Sequence, residues 1–239
     1  MKYMGSKARH AKELLPIILA NRKQGQWYVE PFVGGANMID KVDGNRMGAD
    51  INEYLIEMWK AVSSGWMPLE LVTEEKYQKV RDNKDKDKPL TSYIGFAMSF
   101  GGKWFGGYRR DIAGTKDGPE LKAFNESEQS RKSYESLLKQ QKKLLGVDFR
   151  HSSYQDLDVP ANSIIYCDPP YKDTTKYKDS FDHEMFYDWC RQKHKEGHQV
   201  FVSEYQMPDD FICVWSKEVN NSLTKDTGSK KGIEKLFVL

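Results

Sequence analysis

Three features of the sequence predict an α/β fold built on a parallel sheet. Short apolar runs stop at turn residues, as Ile164-Ile165-Tyr166-Cys167 stops at Asp168-Pro169-Pro170-Tyr171. Longer stretches repeat apolar residues at helical spacing, as Leu55, Met58, Trp59 and Val62 do. A third run closes on the pair Gly34-Gly35, a tight turn of the kind that follows a buried strand. In such a sheet ligands bind beyond the carboxyl ends of the strands, so residues at those stops are the first candidates for chemistry.

Taken in order, the chain opens on Tyr3-Met4-Gly5-Ser6-Lys7 ahead of a helix expected over residues 6–20. Leu14, Leu15, Ile18 and Leu19 share its apolar face, and Pro16 is expected to kink it. Gln26-Trp27-Tyr28-Val29-Glu30-Pro31-Phe32-Val33 reads as a strand, the glycine pair as a turn, and a helix is expected from about Asn37. Glycines let a backbone approach a ligand closely, but a dinucleotide fingerprint would need a third at fixed spacing. Met47-Gly48-Ala49-Asp50-Ile51-Asn52 is the second strand. Asp50 falls about twenty positions after Glu30, where a nucleotide-binding sheet sets its acceptor for the ribose hydroxyls. The competing role for Asp50 is capping the next helix together with Asn52.

From about Ser64 to Leu145 the pattern changes. Residues 81–89 form a mixed-charge run that reads as a solvated loop or helix end. Phe96, Phe100, Trp104, Phe105 and Tyr108 then alternate with Gly101, Gly102, Gly106 and Gly107, and Arg109 and Arg110 follow. Aromatics, glycines and cations together suit a loop lying against nucleic acid, and equally an aromatic mini-core with glycine connections. Residues 126–145 read as a helix, with Tyr134, Leu137, Leu138, Leu144 and Leu145 on one side and Lys139, Lys142 and Lys143 mostly elsewhere. Gly146 closes it, and Val147-Asp148-Phe149-Arg150 is a candidate strand.

Asp156 lies in the loop before the strand at Ile164, where it could also cap a turn with Ser152 and Ser153. Beyond the proline turn, residues 177–182 are polar and are expected to form a mobile loop. A helix over residues 184–196 turns Phe186, Trp189 and Cys190 inward and stops at Gly197. His194 and His198 are four apart, a spacing that could grip a metal on one helix, yet Gly197 interrupts it and no further ligand is evident, so no metal is expected. Residues 199–203, 211–215 and 235–239 are the remaining strands, with connections at Asn220-Asn221 and residues 228–232.

Composition bounds the partners. The 239 residues, 38% hydrophobic and 30% charged, suit one globular domain or one domain with a sizeable insertion. A net charge of +2 means that any nucleic-acid surface must come from local clustering of cations. Cys167, Cys190 and Cys213 have no paired spacing, no apolar signal core opens the chain, and no run is long enough to span a membrane. The expected setting is a reducing cytoplasm, bacterial or phage-infected.

Asp168-Pro169-Pro170-Tyr171 resembles the catalytic motif of amino-directed DNA methyltransferases. Glu30-Pro31-Phe32-Val33-Gly34, Tyr3 to Lys7 and Asp50 to Asn52 are similar to the cofactor segments of the DNA adenine methylase (Dam) family. The resemblance implies a Rossmann-like methyltransferase sheet formed by residues 1–63 and 146–239, with a mainly helical target-recognition domain inserted at 64–145. It implies S-adenosylmethionine as cofactor, released as S-adenosylhomocysteine, and double-stranded DNA as partner. Tyr3, Lys7, Glu30, Phe32, Gly34, Asp50, Asp156 and Asp168 are then the cofactor contacts, with Lys7 near the cofactor's carboxylate. Lys103, Arg109 and Arg110 are the DNA contacts.

The chemistry explains the motif. An exocyclic amine on adenine is a poor nucleophile because its lone pair is delocalised into the ring. Asp168 and the Pro169 carbonyl can accept its two hydrogens and favour a tetrahedral nitrogen, Pro170 stiffens the turn, and Tyr171 can stack on a base flipped out of the duplex. By resemblance, serine in the first position would favour cytosine amines and asparagine a protein glutamine. Ring-carbon methylation would need a nucleophilic cysteine, and strand alternation turns Cys167 away from Asp168. A catalytically silent DNA-binding protein of the same fold is the alternative of another class.

Overall fold

The computed structural model describes residues 1–110, 126–171, 181–220 and 231–239. Of the segments expected above, residues 177–180, Asn221 and residues 228–230 lie outside the described residues. The chain forms two compact units: residues 1–9, 34–41 and 52–151 make the first, and residues 10–33, 42–51 and 152–239 the second.

The architecture is mixed α/β with a seven-stranded sheet. The strands are β1 (Tyr28–Glu30), β2 (Arg46–Asp50), β3 (Asp148–His151), β4 (Ile164–Cys167), β5 (Gln199–Glu204), β6 (Ile212–Asn220) and β7 (Lys231–Val238). The six strands of the second unit run in the order β2-β1-β4-β5-β7-β6. β2, β1, β4 and β5 are parallel, and β7 runs antiparallel between β5 and β6. Strand order reverses on either side of β1, which makes this a Rossmann-like sheet whose crevice opens beyond the carboxyl ends of β1 and β4.

Every residue of β1 and β4 is buried. Strands covered on both faces read as continuous apolar runs, which is why Ile164 to Cys167 was visible without alternation. Val29, Met47, Ala49, Ile165, Cys167, Val200 and Val202 pack with Phe186, Tyr187 and Cys190 of α6 (His183–Lys195). The Val, Ile, Met and Phe side chains among them each contribute roughly 1.5–3 kcal/mol by leaving water. Asp182 caps α6, its Oδ1 accepting the Met185 amide at 2.9 Å. β6 and β7 extend past the residues expected for them, because Ser216, Lys217 and Glu218 are exposed polar positions held by the ladder to Lys235, Glu234 and Ile233 rather than by an apolar face.

The helix expected over residues 6–20 is shorter. The Ser6 hydroxyl accepts the Ala8 amide at 3.2 Å and closes a local turn, a 3-10 turn follows at Lys7–Arg9, and α1 occupies only Ala11–Ile18 with Pro16 inside it. After the glycine pair there is likewise only a 3-10 turn, Ile39–Lys41, in place of a full helix. Ala36 sits at a φ of 51°, a left-handed conformation that interrupts any helix beginning nearby.

The first unit is mainly helical: α2 (Glu53–Ser63), α3 (Glu74–Arg81), α4 (Lys88–Ala97) and α5 (Glu126–Leu144). Each of the first three starts on a side-chain cap, with Asn52 accepting the Leu55 amide at 3.2 Å, Thr73 that of Lys76 at 3.2 Å and Asp87 that of Leu90 at 3.1 Å. Those caps satisfy amides that a helix start leaves without partners. The mixed-charge run therefore ends α3, forms a 3-10 turn at Lys84–Lys86 and starts α4, with Pro89 in the first turn of α4. Trp59, Tyr77 and Tyr93 are fully buried in this unit. Leu145 is 57% exposed, because it follows the last residue of α5 and no longer shares that helix's buried face.

Candidate active site

Strand register sets the geometry of the second unit's crevice. Glu30, the last residue of β1, is level with Gly48 of β2, and Val29 is level with Ile165 of β4. Asp50 and Asp168 therefore each stand two residues beyond the level of Glu30, one on either side of β1, whose strand ends at Glu30 and leaves a gap in the ladder before the Val33 amide returns to the Ala49 carbonyl at 2.8 Å. With neighbouring strands about 4.8 Å apart, their backbones are roughly 10 Å from one another across that gap. Glu30 itself is 3% exposed and accepts the Tyr28 hydroxyl at 2.8 Å.

Asp50 does not cap α2; Asn52 does. The Asp50 carbonyl accepts the Ser152 amide at 3.2 Å, and its side chain is half-buried beside Ile51, which is 73% exposed. A carboxylate at a strand end can accept hydrogen bonds from hydroxyl groups, and an exposed apolar side chain beside it can meet a flat ring, a pairing that fits a nucleoside. Phe32 packs in an aromatic group with Tyr154, Phe186 and Phe181, at ring separations of 5.4, 5.7 and 5.9 Å. Asp156 closes a turn with Ser153, whose hydroxyl donates to its carboxylate at 2.6 Å.

Alternation along β4 places Tyr166 and Asp168 on one face and Ile165 and Cys167 on the other. Cys167 is fully buried in the core beside Cys190, and burial pushes its thiol well above the ordinary range, so it offers no thiolate to a base. Tyr166 shares a hydrogen bond with Ser203 at 2.8 Å. Pro169 is buried, and Asp168, Pro170 and Tyr171 are half-buried. The Tyr171 hydroxyl donates to Glu234 Oε2 at 2.8 Å, and Tyr205 meets its ring edge-on. Burial first, then the charges of Asp168 and Glu234, raise the Tyr171 phenol far above its usual pKa.

Tyr3 and Lys7 belong to the first unit, with Gly34 and Gly35. The Tyr3 side chain lies on that glycine pair: a Cβ on Gly34 would come 2.8 Å from its ring, and one on Gly35 2.6 Å from its own Cβ. Tyr3 is thus one reason for the glycines here; Gly34 also has a φ of +43°, and a Cβ on Gly35 would meet Asn37 Nδ2 at 2.6 Å as well. The Tyr3 ring is 5.2 Å from Phe96, and its backbone lies so close to Gly102 that a Cβ there would meet it at 3.0 Å. Trp59 Nε1 donates to the Gly34 carbonyl at 2.8 Å, and Gln140 Nε2 donates to those of Gly35 and Ala36 at 3.0 and 2.8 Å. Lys7 is 8% exposed, a buried position unlike that of an ordinary solvated lysine.

The aromatic and glycine run packs largely on itself. Trp104 lies 4.8 Å from both Phe96 and Phe105, and Tyr77 is 5.3 Å from Phe105 and 5.4 Å from Tyr108. Gly95 admits this packing, since a Cβ there would meet Trp104 at 2.7 Å. Phe100, 63% exposed, is outside it. Lys103 and Arg109 are half-buried, Arg110 is exposed, and Arg110 pairs with Glu74.

His198 is 5% exposed, and its Nδ1 accepts the Ser163 amide at 3.0 Å, so it is a satisfied core residue. Among the described residues no group of three His, Cys, Asp or Glu side chains is placed to hold a metal. Glu234, Gln140 and Trp59 were not legible as site residues: each meets its partner across 25 to 105 residues of sequence and no local motif marks it.

The D12 class N6 adenine-specific DNA methyltransferase model matches residues 3–96 and 106–232. The chain is 24% identical over 255 residues to the type II methyltransferase M.FokI of Planomicrobium okeanokoites, an alignment covering 92% of this chain and 38% of that protein. The chain thus spans well under half the length of that relative. Two solved structures of the rRNA methyltransferase aviRa from Streptomyces viridochromogenes align over 99% and 100% of this chain and 86% of theirs, with TM-scores of 0.46 and 0.47 at 9% identity.

Proposed function

The chain belongs to the D12 class N6 adenine-specific DNA methyltransferase family, and from that membership we propose that it methylates the N6 amine of adenine at specific sites in double-stranded DNA. The observation that carries this reading is Asp168-Pro169-Pro170-Tyr171 at the carboxyl end of β4, across the β1 gap from Asp50.

The chain's own groups divide the work. By likeness to the family's cofactor motifs, Asp50 would accept hydrogen bonds from the ribose hydroxyls of S-adenosylmethionine and Lys7 would pair with its carboxylate, with Tyr3, Glu30, Phe32, Gly34 and Asp156 as the further candidate contacts. Bound S-adenosylmethionine supplies an electrophilic methyl group. The Asp168 carboxylate and the Pro169 carbonyl accept the two amine hydrogens, localising the nitrogen lone pair as charge develops. Tyr171 offers its face to the flipped adenine and replaces stacking lost from the duplex. Pro170 removes a backbone torsion and so fixes the distance between acceptor and ring. Residues 64–145 form the recognition insertion, with Lys103, Arg109 and Arg110 toward DNA, and residues 1–63 and 146–239 the catalytic domain. Free Cys167, Cys190 and Cys213 suit work in a reducing cytoplasm.

Expression in a host lacking adenine methylation, followed by sequencing that detects N6-methyladenine, tests the reading and yields the target. Modification at one recurring sequence is expected. Binding to DNA without modification would make the chain a catalytically silent DNA-binding protein.

A further inference from the structure

Tyr171 is held at two points. Its hydroxyl reaches Glu234, 63 residues away in sequence, and Tyr205 abuts its ring at 87° with centroids 4.7 Å apart. Glu234 stands on β7, level with Lys217 of β6, and the next residue, Lys235, is level with Glu204 of β5. Its carboxylate is therefore mounted on a strand hydrogen-bonded along both edges. A tyrosine at the end of a turn has two soft side-chain torsions, and a tether at the hydroxyl with a perpendicular ring packed beside it restricts both.

We propose that Glu234 is a positioning residue for adenine: by holding the Tyr171 hydroxyl it sets the plane on which the flipped base stacks, and so the alignment of the amine with Asp168. The inference rests on the reading of Tyr171 as the base-stacking face. Glu234 need not touch the substrate, and its effect passes through Tyr171. A phenol is protonated at neutral pH and so can keep donating to the Glu234 carboxylate. Nothing in the Asp-Pro-Pro-Tyr motif encodes the tether, which comes from the sheet's antiparallel end.

The test is a double-mutant cycle on the full chain, reading tritium transfer from labelled S-adenosylmethionine to DNA free of N6-methyladenine. Glu234→Ala is expected to lower kcat about tenfold while leaving the KM for S-adenosylmethionine unchanged. Tyr171→Phe, which keeps the ring and loses the hydroxyl, should show a similar fall, and the double variant should be no slower than Tyr171→Phe alone. Glu234→Gln, whose carbonyl still accepts the phenol proton, should stay within about twofold of wild type. Should Glu234→Ala not fold, Glu234→Met takes its place with the same expectation. Full kcat in Glu234→Ala or Glu234→Met, or a double variant slowed by the product of the single effects, overturns the proposal. An inactive wild type defeats the functional reading and this inference with it, whereas an active wild type with an additive cycle defeats this inference alone.

Discussion

Arg110 and Glu74 form a two-pronged ion pair on the surface of the first unit, with Nε donating to Oε2 at 3.2 Å and Nη2 close to both carboxylate oxygens. Both side chains are exposed, so the pair contributes at most about 1 kcal/mol to folding. Its consequence concerns DNA, because Glu74 competes for the guanidinium that a phosphate or a guanine edge would take.

Glu74→Gln is therefore expected to strengthen binding to any duplex, and Arg110→Ala to weaken it, with little change in melting temperature for either. If Arg110 meets only phosphate, its loss weakens all sequences equally and lowers the salt slope by roughly one unit; a guanine contact instead costs about 1–3 kcal/mol of discrimination at one position. Binding to cognate and scrambled duplexes over a salt series separates these outcomes. Unchanged affinity in both variants would leave Arg110 a surface ion pair and nothing more.

Asp168→Ala should reduce the rate of methyl transfer by at least about 10²-fold, the usual order for removing a preorganised group that meets charge developing in a transition state. The side chain is half-buried at a strand end, outside the hydrophobic core, so the fold should survive the change. Single-turnover kinetics and a thermal melt on the same preparation check both halves. Activity within a few-fold of wild type would remove Asp168 from catalysis.

The sequence left Asp50 between a ribose role and a capping role shared with Asn52, and in the structure Asn52 makes the cap. Asn52→Ala should accordingly cost about 1 kcal/mol of stability. Asp50→Ala should spare stability and weaken S-adenosylmethionine by roughly 1.5–3 kcal/mol, the range for a hydrogen bond to a charged group. Calorimetric titration beside denaturant melts reads the two effects separately, and a cofactor affinity untouched by Asp50→Ala would end its assignment to the ribose.

These residues show where sequence is informative. Buried parallel strands declare themselves because both faces are apolar, so β4 and the proline turn after it were legible from Ile164 to Tyr171. The antiparallel end was legible only in part: strands were expected at 211–215 and 235–239, but β6 and β7 expose Ile212, Val214 and Ile233 as well as Lys217 and Glu218, and Glu234 looks like any surface glutamate until β7 carries it to Tyr171. Gly34 and Gly35 read as a ligand turn, but the side chains a Cβ there would strike are Tyr3, far earlier in the chain, and at Gly35 also Asn37. Likewise the aromatic run at Phe96 to Tyr108 left packing and DNA contact equally open, and tertiary contacts put Trp104 and Phe105 in a cluster while leaving Phe100 exposed. Periodicity reports which face of an element is buried, not which distant side chain meets it.

His198 gives the last prediction, a dependence of stability on pH. Its Nδ1 accepts the Ser163 amide, which requires an unprotonated nitrogen, and burial, assisted by the charge of Lys193 and opposed by Glu196 at 3.9 Å from Nε2, lowers its pKa from 6.5. A base whose folded pKa lies below its unfolded one binds its proton more readily when unfolded. The stability it contributes is thus fully present above about pH 6.5 and is lost progressively as pH falls from there through the folded pKa. Denaturant melts between pH 8 and 5 should show that decline, and His198→Gln, whose side-chain carbonyl can still accept the Ser163 amide, should flatten it while costing stability at pH 8. A variant whose decline parallels that of wild type would assign the acid sensitivity to other groups.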